Sequence, residues 1–235
     1  MAQSRVSPAR SLRNIAIFEE LSAPALAGIE KRCAWHTFQP AETILDYLDT
    51  TDDVFFVISG QARASIYSAQ GKVVTFCDLR PGELFGEYAA IDGALRSTGI
   101  VARTPCLVAS MSANTFRSLL ESEPLFAMAL LLQSVAKVRE LTTRIYEFSA
   151  LAVNNRIQAE LLRIAKLAPL SRNTVEIDPA PIHADIASRT STHREAVTRE
   201  LSRLSKLGIV ERRGRVLIVN DVARLTTMVH EATGE

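Results

Sequence analysis

The sequence predicts an α+β fold in three successive parts: a double-stranded β-helix, or jelly roll, then a long helix, then short helices with a hairpin. Six of the ten glycines lie between Gly60 and Gly99, and four of them recur every 11 residues. Short strands with such regular turns are typical of antiparallel barrels and jelly rolls. A helical pattern begins at Pro124. We expect the three parts to span residues 1–123, 124–152 and 153–235.

Length and composition exclude several classes of protein. The 235 residues suit two domains, and 47% hydrophobic with 23% charged residues argues against wholesale disorder. The longest near-apolar run, Leu125 to Leu132, is far shorter than the roughly 20 residues that cross a bilayer, and no apolar signal segment begins the chain. Three dispersed cysteines without a C-x-x-C pair argue against a disulfide framework or a metal site. We expect a cytoplasmic protein with no membrane partner and no metal.

The first part combines helix and strand patterns. Residues 11–34 predict mostly helix, because apolar residues there recur at spacings of three to five. The strand-like runs that follow are Val54–Ile58, Ala62–Tyr67, Val73–Leu79 and Cys106–Met111.

The long helix carries a narrow apolar seam. No glycine or proline interrupts the chain between Pro124 and Pro169. Positions that alternate at three- and four-residue spacing are Leu131, Ser134, Val138, Leu141, Ile145, Phe148 and Ala152. A seam of three heptads flanked by charges favours a coiled coil with a second copy, so we expect a homodimer through residues 124–152. The alternative is a single amphipathic helix that packs on its own domain.

The C-terminal part predicts two helices and a wing. The residue pattern predicts a short helix over Ile182–Ser188 and a turn at Thr190–Ser191. Thr192 then caps a second helix, with Glu195 completing a capping box. Gly208–Val219 predicts two strands around a turn. This order is a winged helix-turn-helix pattern. Residues 151–235 hold 13 basic against 10 acidic residues, a net +3 that fits nucleic acid. The alternative is an ordinary small α+β subdomain.

The segment Gly82–Ser97 has the chemistry of a phosphate site. Gly86 allows close backbone approach, Glu87 can accept from a hydroxyl, and Arg96 is a two-pronged donor. On spacing alone, a surface ion pair is an alternative. The segment resembles the phosphate-binding cassette of cyclic-nucleotide-binding domains, F-G-E-x-A-x-x-x-x-x-x-R-[SAT]. The matching residues are Phe85, Gly86, Glu87, Ala89, Arg96 and Ser97.

That resemblance implies an eight-stranded jelly roll and roles for individual residues. Glu87 would bind the ribose 2′-hydroxyl, and Arg96 would bind the cyclic phosphate together with Ser97 and the Ala89 backbone. The full set of expected nucleotide-binding residues is Gly86, Glu87, Tyr88, Ala89, Arg96, Ser97, Thr142 and Phe76.

The second helix of the C-terminal part also resembles a known element. His193–Leu201 is similar to the R-E-x-V-x-R recognition helix of the CRP/FNR family of bacterial transcription regulators, and the similarity spans roughly residues 15–220. It implies that Arg194, Glu195 and Arg199 read base edges of a TGTGA-like half-site in double-stranded DNA. Thr192, His193 and Arg213 complete the expected DNA-binding set. The family further implies a cytoplasmic allosteric regulator that contacts RNA polymerase.

The identity of the ligand is less sharply predicted. In the cyclic-AMP receptor an adjacent Thr-Ser pair reaches adenine, whereas the aligned pair here is Leu141-Thr142. Leu141 cannot hydrogen-bond a base, and Ser97 directly follows the cassette arginine, as in relatives selective for cGMP. We therefore expect cAMP, cGMP or both as ligand. Alternatives are a family member that senses another ligand, such as haem held by His36 or Cys77, or one that acts without ligand. The sequence contains neither a Walker-A loop nor a G-x-S-x-G motif, so we do not expect an enzyme.

Overall fold

The computed structural model describes residues 10–19, 21–71 and 73–234, and it divides the chain into two compact units, residues 1–137 and 138–235. The first unit begins with a 3₁₀ turn, Ala16–Phe18, and helix α1, Ala23–Glu30. Eight strands of this described part follow: β1 Ala34–Phe38, β2 Thr43–Leu45, β3 Val54–Ser59, β4 Ala62–Tyr67, β5 Val73–Leu79, β6 Leu84–Phe85, β7 Gly99–Ala102 and β8 Cys106–Met111. Helix α2, Glu87–Asp92, lies between β6 and β7, and helices α3, Ala113–Ser122, and α4, Pro124–Ala150, come after β8.

The eight strands form two antiparallel four-stranded sheets. The strand orders are β1-β8-β3-β6 and β2-β7-β4-β5. Non-sequential neighbours in both sheets are the mark of a jelly roll, which confirms the predicted fold. The predicted ends of β4, β5 and β8 agree with the structure, and β3 is one residue longer than predicted.

The expectation of mostly helix over residues 11–34 was wrong. Among the residues described in that range, only the short turn and the eight-residue α1 are helical, and Cys33 follows the helix. The apolar residues of this segment reach the core as separate anchors, because Leu12, Ile15 and Phe18 are all buried. The Glu30 carboxylate accepts hydrogen bonds from the Ser11 hydroxyl at 2.9 Å and from the Leu12 amide at 2.8 Å, and these bonds fix the chain without helix.

Aromatic rings join the start of α4 to the jelly roll. The ring of Phe126 stacks on Phe18 at 5.4 Å between centroids and meets Phe116 edge-on at 5.7 Å. Phe18 in turn lies 5.1 Å from Phe56 of β3. Each such ring buries a large apolar area, so this cluster anchors the first turns of α4 in the core of the first unit.

The second unit contains four further helices and one sheet. The helices are α5 Val153–Lys166, α6 His183–Arg189, α7 Arg194–Lys206 and α8 Val222–Thr233. The strands are β9 Leu170–Ser171, β10 Thr174–Ile177, β11 Val210–Arg213 and β12 Val216–Val219, in the order β11-β12-β10-β9. Helices α6 and α7 with the β11–β12 hairpin form the predicted winged helix-turn-helix around a core that includes Ile186, Val197 and Leu204.

Three helix boundaries differ from those expected from the sequence, the first being α6, which spans His183–Arg189 and not Ile182–Ser188. Helix α7 begins at Arg194, its cap position is His193, and the predicted capping box of Thr192 with Glu195 is absent. Ser191 adopts a positive φ of 50°, and the Thr192 amide donates to Ala187 O at 3.0 Å, so Thr192 lies in the turn. The predicted seam also extended too far, because α4 ends at Ala150 and Ala152 is the extended cap of α5.

A buried cluster of charges fixes the C-terminal half of α4 within the second unit. Only 2% of the Glu160 side chain of α5 is exposed. Its carboxylate meets Arg163 at 2.5 Å, Arg144 of α4 at 3.4 Å and Arg189 of α6 at 3.7 Å. Arg163 also pairs with Glu147 of α4. Three elements are thereby tied together through two carboxylates and three guanidinium groups.

Replacing Glu160 with alanine tests this cluster. We expect the free energy of unfolding to fall by about 3–5 kcal/mol, because three arginines would remain partly buried without their shared partner. Chemical denaturation measures the change. Glu211→Ala is the matched control, since Glu211 pairs with Arg213 at the surface and such pairs contribute little. Equal and small effects of the two substitutions would contradict the structural role of the cluster.

Candidate functional site

The cassette segment forms a sharp corner between strand β6 and helix α2. Gly86 caps the helix with a φ of 85°, in the left-handed region that favours glycine. A Cβ atom at this position would lie 2.8 Å from both Arg96 Nη1 and Asp53 O. The corner therefore requires glycine for its backbone angle and for the close approach of the arginine.

Arg96 is the centre of this site. Only 2% of its surface is exposed, so a cation is held inside the jelly roll. Its guanidinium donates from Nη1 to Gly86 O at 2.9 Å, from Nη2 to Asp53 O at 2.8 Å and from Nε to Thr51 Oγ1 at 3.1 Å. These contacts use three of the five N–H groups of an arginine fork. Two N–H groups remain for an anion in the described part of the chain.

The loop between β2 and β3 fixes Arg96 from its backbone as well. The Arg96 amide donates to Asp49 O at 2.9 Å, and its carbonyl accepts from the Leu48 amide at 3.0 Å. The Thr51 hydroxyl, which accepts from Arg96, donates to the Asp49 carboxylate at 3.2 Å. Sequence reasoning missed Thr51, because it lies 45 residues from the arginine that it contacts.

The electrostatics of the site are dominated by burial. Burial lowers the pKa of Arg96, while the carboxylates of Asp53, Asp49 and Asp52 act in the opposite direction. Burial raises the pKa of Glu87, which a hydrogen bond from its own backbone and the charge of Lys137 partly offset. Lys137, in α4, is a second residue that the sequence analysis missed, because its position resembled that of a charge flanking the seam.

The other expected nucleotide-binding residues differ in burial and in the part of the fold where they lie. Ala89 is buried beside Glu87 in α2, whereas Tyr88 and Ser97 are exposed. Burial and the nearby Glu87 charge raise the pKa of Tyr88. Phe76 of β5 packs partly buried on the cluster between the sheets. Thr142 belongs to the second unit, where its hydroxyl donates to Val138 O at 2.9 Å.

Helix α7 presents a polar face to solvent. Arg194, Glu195 and Arg199 are exposed, and Val197 on the opposite side is fully buried. His193, at the cap, is also exposed, and Thr192 is half-buried in the turn. An exposed acid and two exposed arginines on one helix are suited to hydrogen bonding with base edges.

The wing arginines have partners within the hairpin region. Arg213 donates to the Glu211 carboxylate with Nε and Nη2, both at 2.8 Å. Arg212 donates to Gly214 O at 3.3 Å, and Arg215 pairs with Asp178 at 3.0 Å. All three arginines are exposed, so these contacts can exchange for phosphate contacts at small energetic cost.

No group of three or more histidines, cysteines, aspartates or glutamates in the described ranges is placed to hold a metal ion, and Cys33, Cys77 and Cys106 form no disulfide bond. No single described helix is both long and apolar enough to cross a membrane. Helices α3 and α4 reach that length and composition only as a pair, which bends by 109° at its junction.

Two family models match the chain, one in each part. The cyclic nucleotide-binding domain matches residues 35–123, and the Crp-like helix-turn-helix domain matches residues 155–228. Together they cover more than half of the sequence. The first match contains the Arg96 corner, and the second contains α5, α6, α7 and the hairpin.

Curated relatives and solved structures share this organisation. The chain is 24% identical over 197 residues to the "cAMP-activated global transcriptional regulator CRP" of Pasteurella multocida, covering 83% of this chain and 94% of the relative. It is 20% identical over 215 residues to a CRP-like regulator of Mycobacterium tuberculosis, covering 91% and 96%. A structure of a CooA mutant from Carboxydothermus hydrogenoformans gives a TM-score of 0.78 at 19% identity, covering 96% and 98%. FixK2 from Bradyrhizobium japonicum gives 0.72 at 17% identity, covering 83% and 96%. At these identities the solved structures support the fold.

The raised pKa of Glu87 predicts a pH-dependent stability. The folded protein holds the Glu87 proton above the ordinary pKa of 4.5, where the unfolded chain has already released it. Stability therefore falls as pH rises from about 4.5 through the folded pKa, and is lower above that interval. We expect Glu87→Gln, which cannot ionise, to gain stability relative to the native chain between pH 4 and pH 7, as measured by urea denaturation. A stability difference independent of pH would contradict the burial of this carboxylate.

Proposed function

Because the chain belongs to the CRP/FNR family of transcription regulators, we propose that it is a homodimer that binds cAMP, cGMP or both and then an inverted-repeat DNA site. Members of this family regulate transcription and are not enzymes, and this chain has both the nucleotide-binding and the helix-turn-helix domain. We assign ligand binding to residues 1–123, dimerisation to residues 124–152 and DNA binding to residues 153–235. A cytoplasmic location and contact with RNA polymerase follow from the family resemblance alone.

The buried guanidinium of Arg96 is the main support for nucleotide binding. Its contacts in the structure are to neutral oxygen atoms of Gly86, Asp53 and Thr51. A buried charge is costly unless an opposite charge and hydrogen bonds compensate it. A cyclic phosphate would supply both to the two remaining N–H groups. Glu87 lies at the same corner as an acceptor for a ribose hydroxyl, with Lys137 close enough to affect its pKa.

The proposed dimer rests on the exposed apolar stripe of α4. Exposed seam residues are Leu131, Val138, Leu141, Ile145 and Phe148. Val138 and Ile145 are 63% and 66% exposed, and large apolar side chains in a row at heptad spacing are typical of a coiled coil. A second copy of α4 would remove this stripe from water.

The haem alternative has less support from the structure. His36 Nε2 lies 2.8 Å from the Ser110 hydroxyl on the neighbouring strand β8. A histidine hydrogen-bonded within a sheet has a structural role that needs no metal.

Nucleotide binding tests the first half of the proposal. We expect calorimetry to give affinities for cAMP and cGMP within about tenfold, or 1.4 kcal/mol, because Leu141 offers no hydrogen bond to adenine. Arg96→Ala should abolish binding, and Glu87→Ala should weaken it less, since it removes a hydrogen bond and not an ion pair. Arg96→Lys keeps the charge without the fork, and Arg80→Ala removes an equal charge from the exposed surface as the control. A preference for cAMP above a hundredfold, or normal binding by Arg96→Ala, would refute these assignments.

DNA binding tests the second half. Arg199→Ala should cost about 1–3 kcal/mol on a TGTGA-like site and relax preference at one guanine. Arg213→Ala should weaken all sequences alike, because a wing arginine contacts phosphate. The measurement is binding to a half-site library with nucleotide present, and Lys206→Ala, at the far end of α7, is the control. If Arg199→Ala lowered affinity equally for every sequence, its role in base reading would be wrong.

A further inference from the structure

The imidazole ring of His183, the first residue of α6, is hydrogen-bonded to a side chain of helix α7. Its Nδ1 lies 2.8 Å from the Thr198 hydroxyl, and that hydroxyl donates its hydrogen to Arg194 O at 3.0 Å. A threonine hydroxyl has one hydrogen, so when it donates to Arg194 O it accepts from Nδ1 of His183. In that arrangement Nε2 is the nitrogen that gains or loses a proton.

The charges around His183 oppose its protonation. Partial burial lowers its pKa, and the positive charges of Arg212 in the wing and Arg194 in α7 lower it further. On its own helix, the acid closest in sequence is Asp185. Below neutrality the imidazole thus remains uncharged to a lower pH than an ordinary histidine with a pKa of 6.5.

The same two arginines belong to the surface that would face DNA. Arg194 lies in the first turn of α7, and Arg212 lies in β11 of the wing. Both are exposed. A phosphate placed between them would offset the two positive charges that disfavour the imidazolium, and it would accept a hydrogen bond from a protonated Nε2. Phosphate and protonated histidine would therefore stabilise each other.

We propose that His183 contacts a DNA phosphate and takes up a proton when DNA binds, so that affinity for DNA rises as pH falls. This inference rests on the proposed DNA-binding function and adds to it a pH-dependent contact. The histidine pKa is below its ordinary value in the free protein and would be higher in the complex. Between those two pKa values, affinity falls by up to about tenfold per pH unit for each protomer as pH rises, and by up to about a hundredfold for a dimer.

The experiment measures DNA affinity against pH with the full chain. Fluorescence anisotropy with a labelled inverted-repeat duplex, cAMP present and ionic strength fixed, is recorded from pH 5.5 to 8.0. His183→Asn keeps an amide that can donate to Thr198 but cannot gain a proton. We expect its affinity to be flat with pH and to match the native chain at pH 8. His183→Arg should also be flat, but near the native affinity at low pH.

A matched control and a second readout separate the possible outcomes. His230→Asn replaces an exposed histidine of α8, outside the expected DNA-binding set, and should keep the native pH dependence. Calorimetry at pH 6.5 in two buffers of different ionisation enthalpy should show proton uptake on DNA binding in the native chain and its loss in His183→Asn. DNA binding with the same pH dependence and proton uptake in His183→Asn would overturn this inference alone. Absence of DNA binding at every pH, with cAMP or with cGMP, would overturn the proposed function and this inference with it.

Discussion

A guanidinium held inside the jelly roll is the interaction on which the ligand site depends. Arg96 is almost completely buried and is aimed by oxygen atoms from the Gly86 corner and from the loop that contains Thr51 and Asp53. Removing this charge from water is unfavourable, and three hydrogen bonds and the nearby carboxylates of Asp49, Asp52 and Asp53 offset part of that cost. A phosphate would complete the site, and the resulting binding energy becomes available to shift the protein between two conformations if the two differ in affinity.

Helix α4 is fixed by different forces along its length. Its first turns are anchored by Phe126 in the aromatic core of the jelly roll, and its last turns are anchored by the buried charges of Glu147 and Glu160 with their arginines. A cluster of buried charges requires its partners, because losing one leaves the others uncompensated. A displacement of the last turns of α4 would therefore act on α5 and α6 through these ion pairs.

Sequence reasoning found what depends on local patterns. Regular glycines predicted the jelly roll, and runs of strand-like residues predicted the exact ends of β4, β5 and β8. It missed what depends on contacts across the chain: Thr51 reaches Arg96 from a distant loop, and Lys137 acts on Glu87 from another helix. Local rules also failed where the tertiary structure overrode them. The capping box at Thr192 is consistent with sequence statistics, but the left-handed turn at residue 191 moves that residue out of the cap.

The proposed function requires that a nucleotide at Arg96 raise the affinity of the second unit for DNA. It is tested most directly by titrating a labelled inverted-repeat TGTGA duplex with the protein at about 0.15 M salt, without nucleotide, with saturating cAMP and with saturating cGMP. We expect at least one nucleotide to raise DNA affinity by about 5- to 150-fold, the usual range of allosteric coupling, and we expect Arg96→Ala to show no such increase. Equal affinity in all three conditions for the native chain would contradict the proposed function.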